Sequence, residues 1–289
     1  MNEKLILYEK RSFDEGAVSV ITLNRPDKLN AIDMRMADEF NTVLTEAEVD
    51  DEVKAVVIKG AGKCFSTGYD LGRVFHVYEE SQPKTDNRRP SERSRLKYDR
   101  RRSEDLRRLL LFPKVTIAQV HGHCIGGGFY MTNCCDFAIA AEDAKLGHPE
   151  QRLGFAGVTY ALPLEIMMIG LRRARHLLYS GKLINGKEAE LIGLVTKAVP
   201  EDALDDETMR FAQAMTLIPR DGIAIGKAIT HLTYESLGLT RAFAIGYIGH
   251  TLGTNLRLEP GEFNFLKTRQ EKGVTAAFRE RDARYEGLV

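Results

Sequence analysis

Hydrophobic positions along this chain change their period several times, and each change marks an element. Residues 5–10 and 17–23 are rich in apolar and β-branched side chains, which predicts two strands. Asp14, Glu15 and Gly16 between them suit a hairpin turn. Asn24, Arg25 and Pro26 then break the sheet, because proline cannot donate to a ladder. The period lengthens next to that of a helix. Met36, Phe40, Val43, Leu44 and Ala47 share one face of residues 34–49, with Asp33 as N-cap. Residues 55–60 and 115–120 are short apolar runs that read as buried strands. A strand, helix, strand succession implies a parallel crossover, with the active surface at strand ends. Residues 136–141 and 195–199 add short strands. Helices are predicted over about 159–169, 171–180, 186–192, 202–216, 222–237 and 240–254, with Gly181 and Gly193 as C-terminal stops.

Composition narrows the class. The chain has 289 residues, 43% of them hydrophobic, ample for a packed core. Lys+Arg and Asp+Glu are both 41, so there is no global basic bias of the kind nucleic-acid binders often show. Cations do crowd residues 84–108, where Asp86, Glu92, Asp99, Glu104 and Asp105 only partly offset them. Residues 81–90 read as a loop, and 72–95 are expected to be mobile without ligand. From about Ser94 a helix is expected, with Leu106, Leu109 and Leu110 turned inward. Its arginines either snorkel along a solvated face or serve a lid. No apolar run reaches the length of a membrane span. The first residues lack a signal peptide's charged start and cleavage site, so a cytoplasmic protein is expected. Cys64, Cys124, Cys134 and Cys135 read as reduced thiols. A zinc site built from them with His121 and His123 is disfavoured, since adjacent cysteines on a helix diverge and no two-residue Cys spacing occurs.

Candidate chemistry sits where strands end. Gly126, Gly127 and Gly128 join the strand at 115–120 to a helix at 129–135. Such a turn leaves backbone N–H groups unpaired at a helix N-terminus. It can receive a phosphate or an oxygen that becomes negative during reaction, or it can simply be a tight turn that permits close packing. A second strand-end turn, residues 62–70, follows the run at 55–60. A third segment, 146–154, carries Glu150. Together they supply two backbone donors and one acid/base. Burial among Leu146, Leu153 and Phe155 would raise the pKa of Glu150 toward the working range.

These segments, in this order, with residues 24–31 and 273–281, resemble the crotonase superfamily, the enoyl-CoA hydratase/isomerase family. The resemblance covers nearly the whole chain. It implies an α/β fold, a spiral of ββα units over 1–200 with a basic lid-like insertion at about 72–112. A helical C-terminal region used in trimerisation follows over 201–289. It implies a CoA thioester substrate whose carbonyl oxygen becomes an enolate, held by the backbone N–H groups of Tyr69 and Gly127, with Glu150 as general acid/base. CoA contacts are implied at Lys28, Leu29, Ala31, Ser66, Gly68, Asp70, Leu71 and Gly126, and at Phe278 and Arg281, where a plain surface charge is the other reading of Arg281. No metal and no cofactor beyond the CoA of the substrate is expected. The partners implied are further copies of the chain, as a homotrimer or a dimer of trimers. Asp136 reads as structural, and His148 as a neighbour that packs or hydrogen-bonds. There is one departure. Hydratases with two carboxylates carry the first where this chain has Tyr130, and a phenol with a pKa near 10 is a poor base. Tyr130 either hydrogen-bonds the reacting oxygen or shapes the pocket. A single acid points to isomerases, or to hydratase/lyases acting on bulky or conjugated enoyl-CoAs. The basic run leaves a second reading, a crotonase-fold RNA-binding protein.

Overall fold

The computed structural model describes residues 4–70, 90–154, 159–160 and 162–289. Leu71, Phe155 and the segment expected to be a loop through residue 89 lie outside them. A six-stranded sheet forms the frame, in the order β1 (Ile6–Phe13), β2 (Gly16–Leu23), β3 (Val53–Gly60), β4 (Val115–Val120), β6 (Phe137–Ala141), β9 (Lys197–Val199). Only the β1–β2 hairpin is antiparallel; the other pairs run parallel. All six residues of β4 are buried, as the continuous apolar run requires of a central strand. A smaller sheet, β5 (His123–Ile125), β7 (Lys145–Gly147) and β8 (Ile184–Asn185), lies beyond the ends of β3 and β4.

Helix α1 (Met34–Val49) begins where expected, with the Asp33 carboxylate accepting from the Met36 N–H at 2.9 Å. It buries Met36, Phe40, Leu44 and Ala47. Helix α2 (Glu92–Leu110) starts two residues before its expected start, on an Ser91 cap. Residues 92–95 are therefore helical rather than part of a mobile loop. Helix α3 (Gly127–Cys134) is buried at every position. Helices α4 (Leu162–Ile169), α5 (Leu171–Ser180) and α6 (Gly186–Leu191) follow. Then come α7 (Leu204–Thr216), α8 (Arg220–Ser236) and α9 (Leu239–Gly253). Two further helices, α10 (Phe265–Lys272) and α11 (Val274–Ala283), were not apparent from periodicity. Their stretch is short and polar, and packing rather than an apolar stripe defines it.

The C-terminal helices are tied to the sheet by charge as well as by apolar contact. Asp136, at the start of β6, accepts from the Thr116 N–H at 2.8 Å and pairs with Lys227 of α8 at 2.6 Å. Asp136 thus has the backbone partner expected of it, and a cation besides. Both side chains are largely buried, so removing one strands the other. Lys227→Met should lower unfolding free energy by about 3 kcal/mol in urea denaturation. A loss below about 0.5 kcal/mol would show that the pair is solvated and contributes little.

Candidate active site

The loops after β2, β3 and β4 are stitched into one layer. Asn30, fully buried, donates to the carbonyls of Ala61 and Cys64, both at 2.8 Å. The Ser66 hydroxyl donates to the Asn30 carbonyl and accepts from the Gly68 N–H. The Ser66 N–H donates to His123 O, and the Ile125 N–H to Ser66 O, so the second loop runs as a strand beside β5. Gly68 completes the approach. Its φ is +83°, and a Cβ there would lie 2.7 Å from Ile125 O and 2.8 Å from Gly127 N. Among the described residues no acceptor takes the N–H of Tyr69 or of Gly127. The two amides sit on adjoining backbones at the N-terminus of α3, and the Tyr69 ring lies over Gly127.

Glu150 faces this turn from a 3-10 turn, Pro149–Leu153, that follows β7. Gly126, with φ +54°, is the closest point. A Cβ there would lie 3.5 Å from Glu150 Oε2. The Tyr130 hydroxyl donates to Glu150 Oε1 at 2.8 Å. The Tyr130 hydroxyl thus rests on the carboxylate, a contact outside both readings of this residue. Behind Glu150 lies His148, fully buried. Its Nδ1 is 3.4 Å from Glu150 Oε1, and its Nε2 is 2.6 Å from Oε2 of Glu165 on α4. The rings of Phe129 and Tyr130 close on the imidazole at 4.7 and 5.2 Å between centroids.

This arrangement reverses the expected pKa of Glu150. Burial does push its carboxyl upward, but the His148 imidazolium and the Tyr130 hydroxyl outweigh that, and the net shift is downward. Burial pulls the His148 pKa down, while Glu165 and Glu150 more than reverse this and raise it to about 10. Burial, then the neighbouring Glu150 charge, push the Tyr130 phenol well above its ordinary value. Periodicity missed Glu165. The signal was there: one carboxylate in the apolar helix Leu162–Ile169 demands a buried partner.

A further buried carboxylate, Asp99 of α2, meets the hydroxyl of Tyr160. It accepts from Tyr160 at 3.3 Å and from Thr251 of α9 at 2.7 Å, with His250 Nδ1 3.2 Å away. Tyr160 meets Tyr69 and Tyr130 edge-on, at 6.3 and 5.7 Å. The Arg102 guanidinium rests on the Tyr69 ring at 4.5 Å. Helix α2 is therefore not simply a solvated basic helix. Arg95, Asp99, Arg102 and Ser103 are buried, Arg101 pairs with Asp38, and Arg108 pairs with Glu48.

The other expected ligand residues divide. Ser66, Gly68, Gly126 and Gly127 converge on the turn. Lys28, Leu29 and Ala31 lie on the adjoining loop, where Leu29 is exposed with φ +52°. Ala31 already bonds within the chain, its N–H to Lys28 O and its carbonyl to Arg25. Asp70 is held by Arg25 at 2.9 Å, so its carboxylate ties the loops rather than standing open to a ligand. Arg281 is buried and paired with Asp282, its guanidinium 4.9 Å from the Phe278 ring, which corrects its reading as a surface charge. Beside Tyr69 a cavity opens between α1, α2 and α3, lined by Leu23, Met36, Phe40, Leu106, Leu109 and Met131 among others. It has about 600 Å³ of atom-free space, counting the part open to solvent.

A family model described as enoyl-CoA hydratase/isomerase matches residues 14–270. EchA13 of Mycobacterium tuberculosis, which carries an enoyl-CoA hydratase name, is 33% identical over 262 residues, covering 85% of this chain and 80% of that protein. The crystal structure of an enoyl-CoA hydratase/isomerase from Xanthobacter autotrophicus Py2 superposes with TM-score 0.81 at 30% identity, covering 97% of this chain and 98% of that one. An enoyl-CoA hydratase from Mycobacterium smegmatis gives TM-score 0.83 at 26% identity, over 99% and 95% of the two chains.

The buried charges make stability depend on pH in a defined direction. The folded-state pKa of His148 is raised, so its contribution is complete below the unfolded value of 6.5 and is lost as pH rises toward about 10. That of Glu150 is lowered, so its contribution is present above 4.5 and is lost as pH falls below it. From this pair, urea midpoints should be highest between about pH 5 and 6.5 and decline toward pH 10. His148→Gln should flatten the alkaline decline. An equal decline in that variant would assign it to other groups.

Proposed function

The chain belongs to the enoyl-CoA hydratase/isomerase family, and from that premise we propose that it forms and quenches the enolate of an acyl-CoA thioester, with Glu150 as the single proton carrier. The observation that carries this reading is the ionised Glu150 carboxylate, held by Tyr130, beside two amides without acceptors in the described chain. A thioester carbonyl seated on the N–H groups of Tyr69 and Gly127 gains stabilisation as its oxygen becomes negative. Losing one such donor typically costs about 3–4 kcal/mol of barrier. The α-proton passes to Glu150, and the C–H electron pair moves onto the carbonyl oxygen. In a β,γ-enoyl thioester the resulting dienolate takes the same proton back at the γ-carbon, giving the conjugated isomer. Nothing else need enter or leave.

Two-carboxylate hydration needs a second base to activate water. Tyr130 cannot fill that place, since burial pushes its phenol further from ionisation. The reading is therefore isomerisation, or addition to a substrate whose own conjugation assists. The apolar lining of the cavity beside Tyr69 suits an apolar acyl group, and Ser66, Gly68 and the 28–31 loop, which adjoin one another, would take the CoA portion. The arginines of α2 that pair with acids of their own chain lend no support to an RNA-binding reading.

A panel of acyl-CoA thioesters, with β,γ-unsaturated, aromatic and alicyclic members, tests the reading. Crotonyl-CoA should be among the poor substrates. On the best substrate, Glu150→Gln should lose about two to four orders of magnitude in kcat, and Tyr130→Phe much less. Full turnover by Glu150→Gln would sink the proposal.

We further propose that the working unit is a homotrimer or a dimer of trimers. Ile225, Ile229 and Leu232 of α8 and Ile245 and Leu252 of α9 are exposed, an apolar surface that suits burial against other copies. Light scattering at micromolar concentration should give three or six times 32.4 kDa; a monomer would refute this.

A further inference from the structure

We propose that His148 and Glu165 are a positioning pair for the base: they fix the Glu150 carboxylate, keep it negative, and leave Oε2 as the oxygen that takes the substrate proton. This rests on the reading of Glu150 as the base.

The protonation of His148 follows from what its two nitrogens face. Nε2 is 2.6 Å from a Glu165 oxygen and Nδ1 is 3.4 Å from a Glu150 oxygen. A neutral imidazole has one N–H and one lone pair. Either tautomer would aim that lone pair at a carboxylate oxygen in a dry site. The Nδ1 contact is an ion-pair distance rather than a hydrogen bond, and the imidazolium alone sets a positive charge against both carboxylates. Glu165, buried on an apolar helix, needs the same cation to remain ionised. The groups around the imidazole agree. On its own turn lie Glu150 and Arg152, the latter turned away to Ser180 O and Asp282. From α3 come Phe129 and the uncharged Tyr130 phenol, and from α4 comes Glu165. Beyond Tyr130 stands Tyr160, whose hydroxyl is committed to Asp99, with His250 stacked on its other side at 4.8 Å. Among the described residues, no other cation is placed between the two glutamates.

The same contacts distinguish the two oxygens of Glu150. Oε1 takes the Tyr130 hydroxyl at 2.8 Å and lies on the imidazolium side. Oε2 is the nearer of the two to Gly126, 3.5 Å from a Cβ built there against 3.7 Å for Oε1. Among the described residues, no side chain hydrogen-bonds Oε2, so the α-carbon of a thioester whose carbonyl oxygen sits on the Gly127 amide meets this oxygen. The ion pair acts through Glu150 and touches no substrate. Its effect is a carboxylate already deprotonated and already aimed when substrate arrives.

The test has two independent arms. In the first, wild-type protein labelled at histidine Cε1 is titrated by NMR. The chain has 7 histidines. At least one, absent in His148→Gln, should remain protonated at pH 8. If all of them are neutral by pH 8, the proposal is overturned whatever the variants do. In the second arm, kcat/KM on the best thioester is followed from pH 8 to pH 5. The wild-type profile should stay flat, and His148→Gln should fall roughly tenfold or more over that range while keeping activity at pH 8 within about tenfold of wild type; in Glu165→Gln the His148 signal should lose its proton at a lower pH than in wild type. An acid limb in His148→Gln that coincides with the wild type overturns the proposal, since a merely structural pair would lower the rate equally at every pH. Failure of the base reading is separately visible: Glu150→Gln would retain turnover, while the NMR arm still reports the state of His148.

Discussion

The close contact of two backbones, at Gly68 and at Ile125 to Gly127, is the constraint on which the site depends. Each loop leaves a parallel strand, and parallel strands end on the same side of a sheet. The ends of β3 and β4 are therefore neighbours before any loop chemistry is considered. The buried Asn30 side chain and the Ser66 hydroxyl then hold three loops at fixed spacing by hydrogen bonds to main-chain groups. Backbone donors placed this way cannot relax as a side chain can. That rigidity is what a developing oxyanion requires, because no reorganisation is left to do when the charge appears.

The second constraint is electrostatic. Burying two glutamates in one small site would, without compensation, protonate at least one of them. His148 resolves the conflict by lying between them, buried against the rings of Phe129 and Tyr130. The arrangement is high-stakes in energetic terms. Breaking one partner of a buried pair typically costs about 3–5 kcal/mol, more than a surface pair would. A cluster this expensive to disturb is consistent with a role that fixes charge as well as shape.

Much of the fold was legible in the sequence, and the reasons are specific. The run Val115–Val120 is apolar at every position because β4 is covered on both faces. Met36, Phe40 and Leu44 recur at helical spacing because α1 buries one face only. The turn at Gly126 was legible because a positive φ beside a carboxylate admits little but glycine. What escaped was set by partners distant in sequence. Glu150 and Glu165 are joined through His148 only after α4 has packed. The buried polar face of α2, with Arg95, Asp99 and Arg102, reads in sequence as part of a charged surface run. Charge patterning reports composition, and it cannot report that Asp99 meets Thr251 from α9. The expected rise in the Glu150 pKa erred because the charge on His148, two residues away, depends on Glu165, which reaches the imidazole only from α4.

The C-terminal third consequently reaches the site without supplying a residue to the proposed chemistry. His250 and Thr251 on α9 hold Asp99, and Asp99 holds Tyr160. Tyr160 stands edge-on between Tyr69 and Tyr130, so it braces the ring over Gly127 on one side and the hydroxyl donor to Glu150 on the other. A helix placed to pack against α2 therefore also fixes the wall between the candidate oxyanion turn and the candidate base. If the apolar faces of α8 and α9 are covered by other copies of the chain, assembly and site geometry share this one brace. The stiffness of the wall would then rise with association, through contacts that no substrate touches.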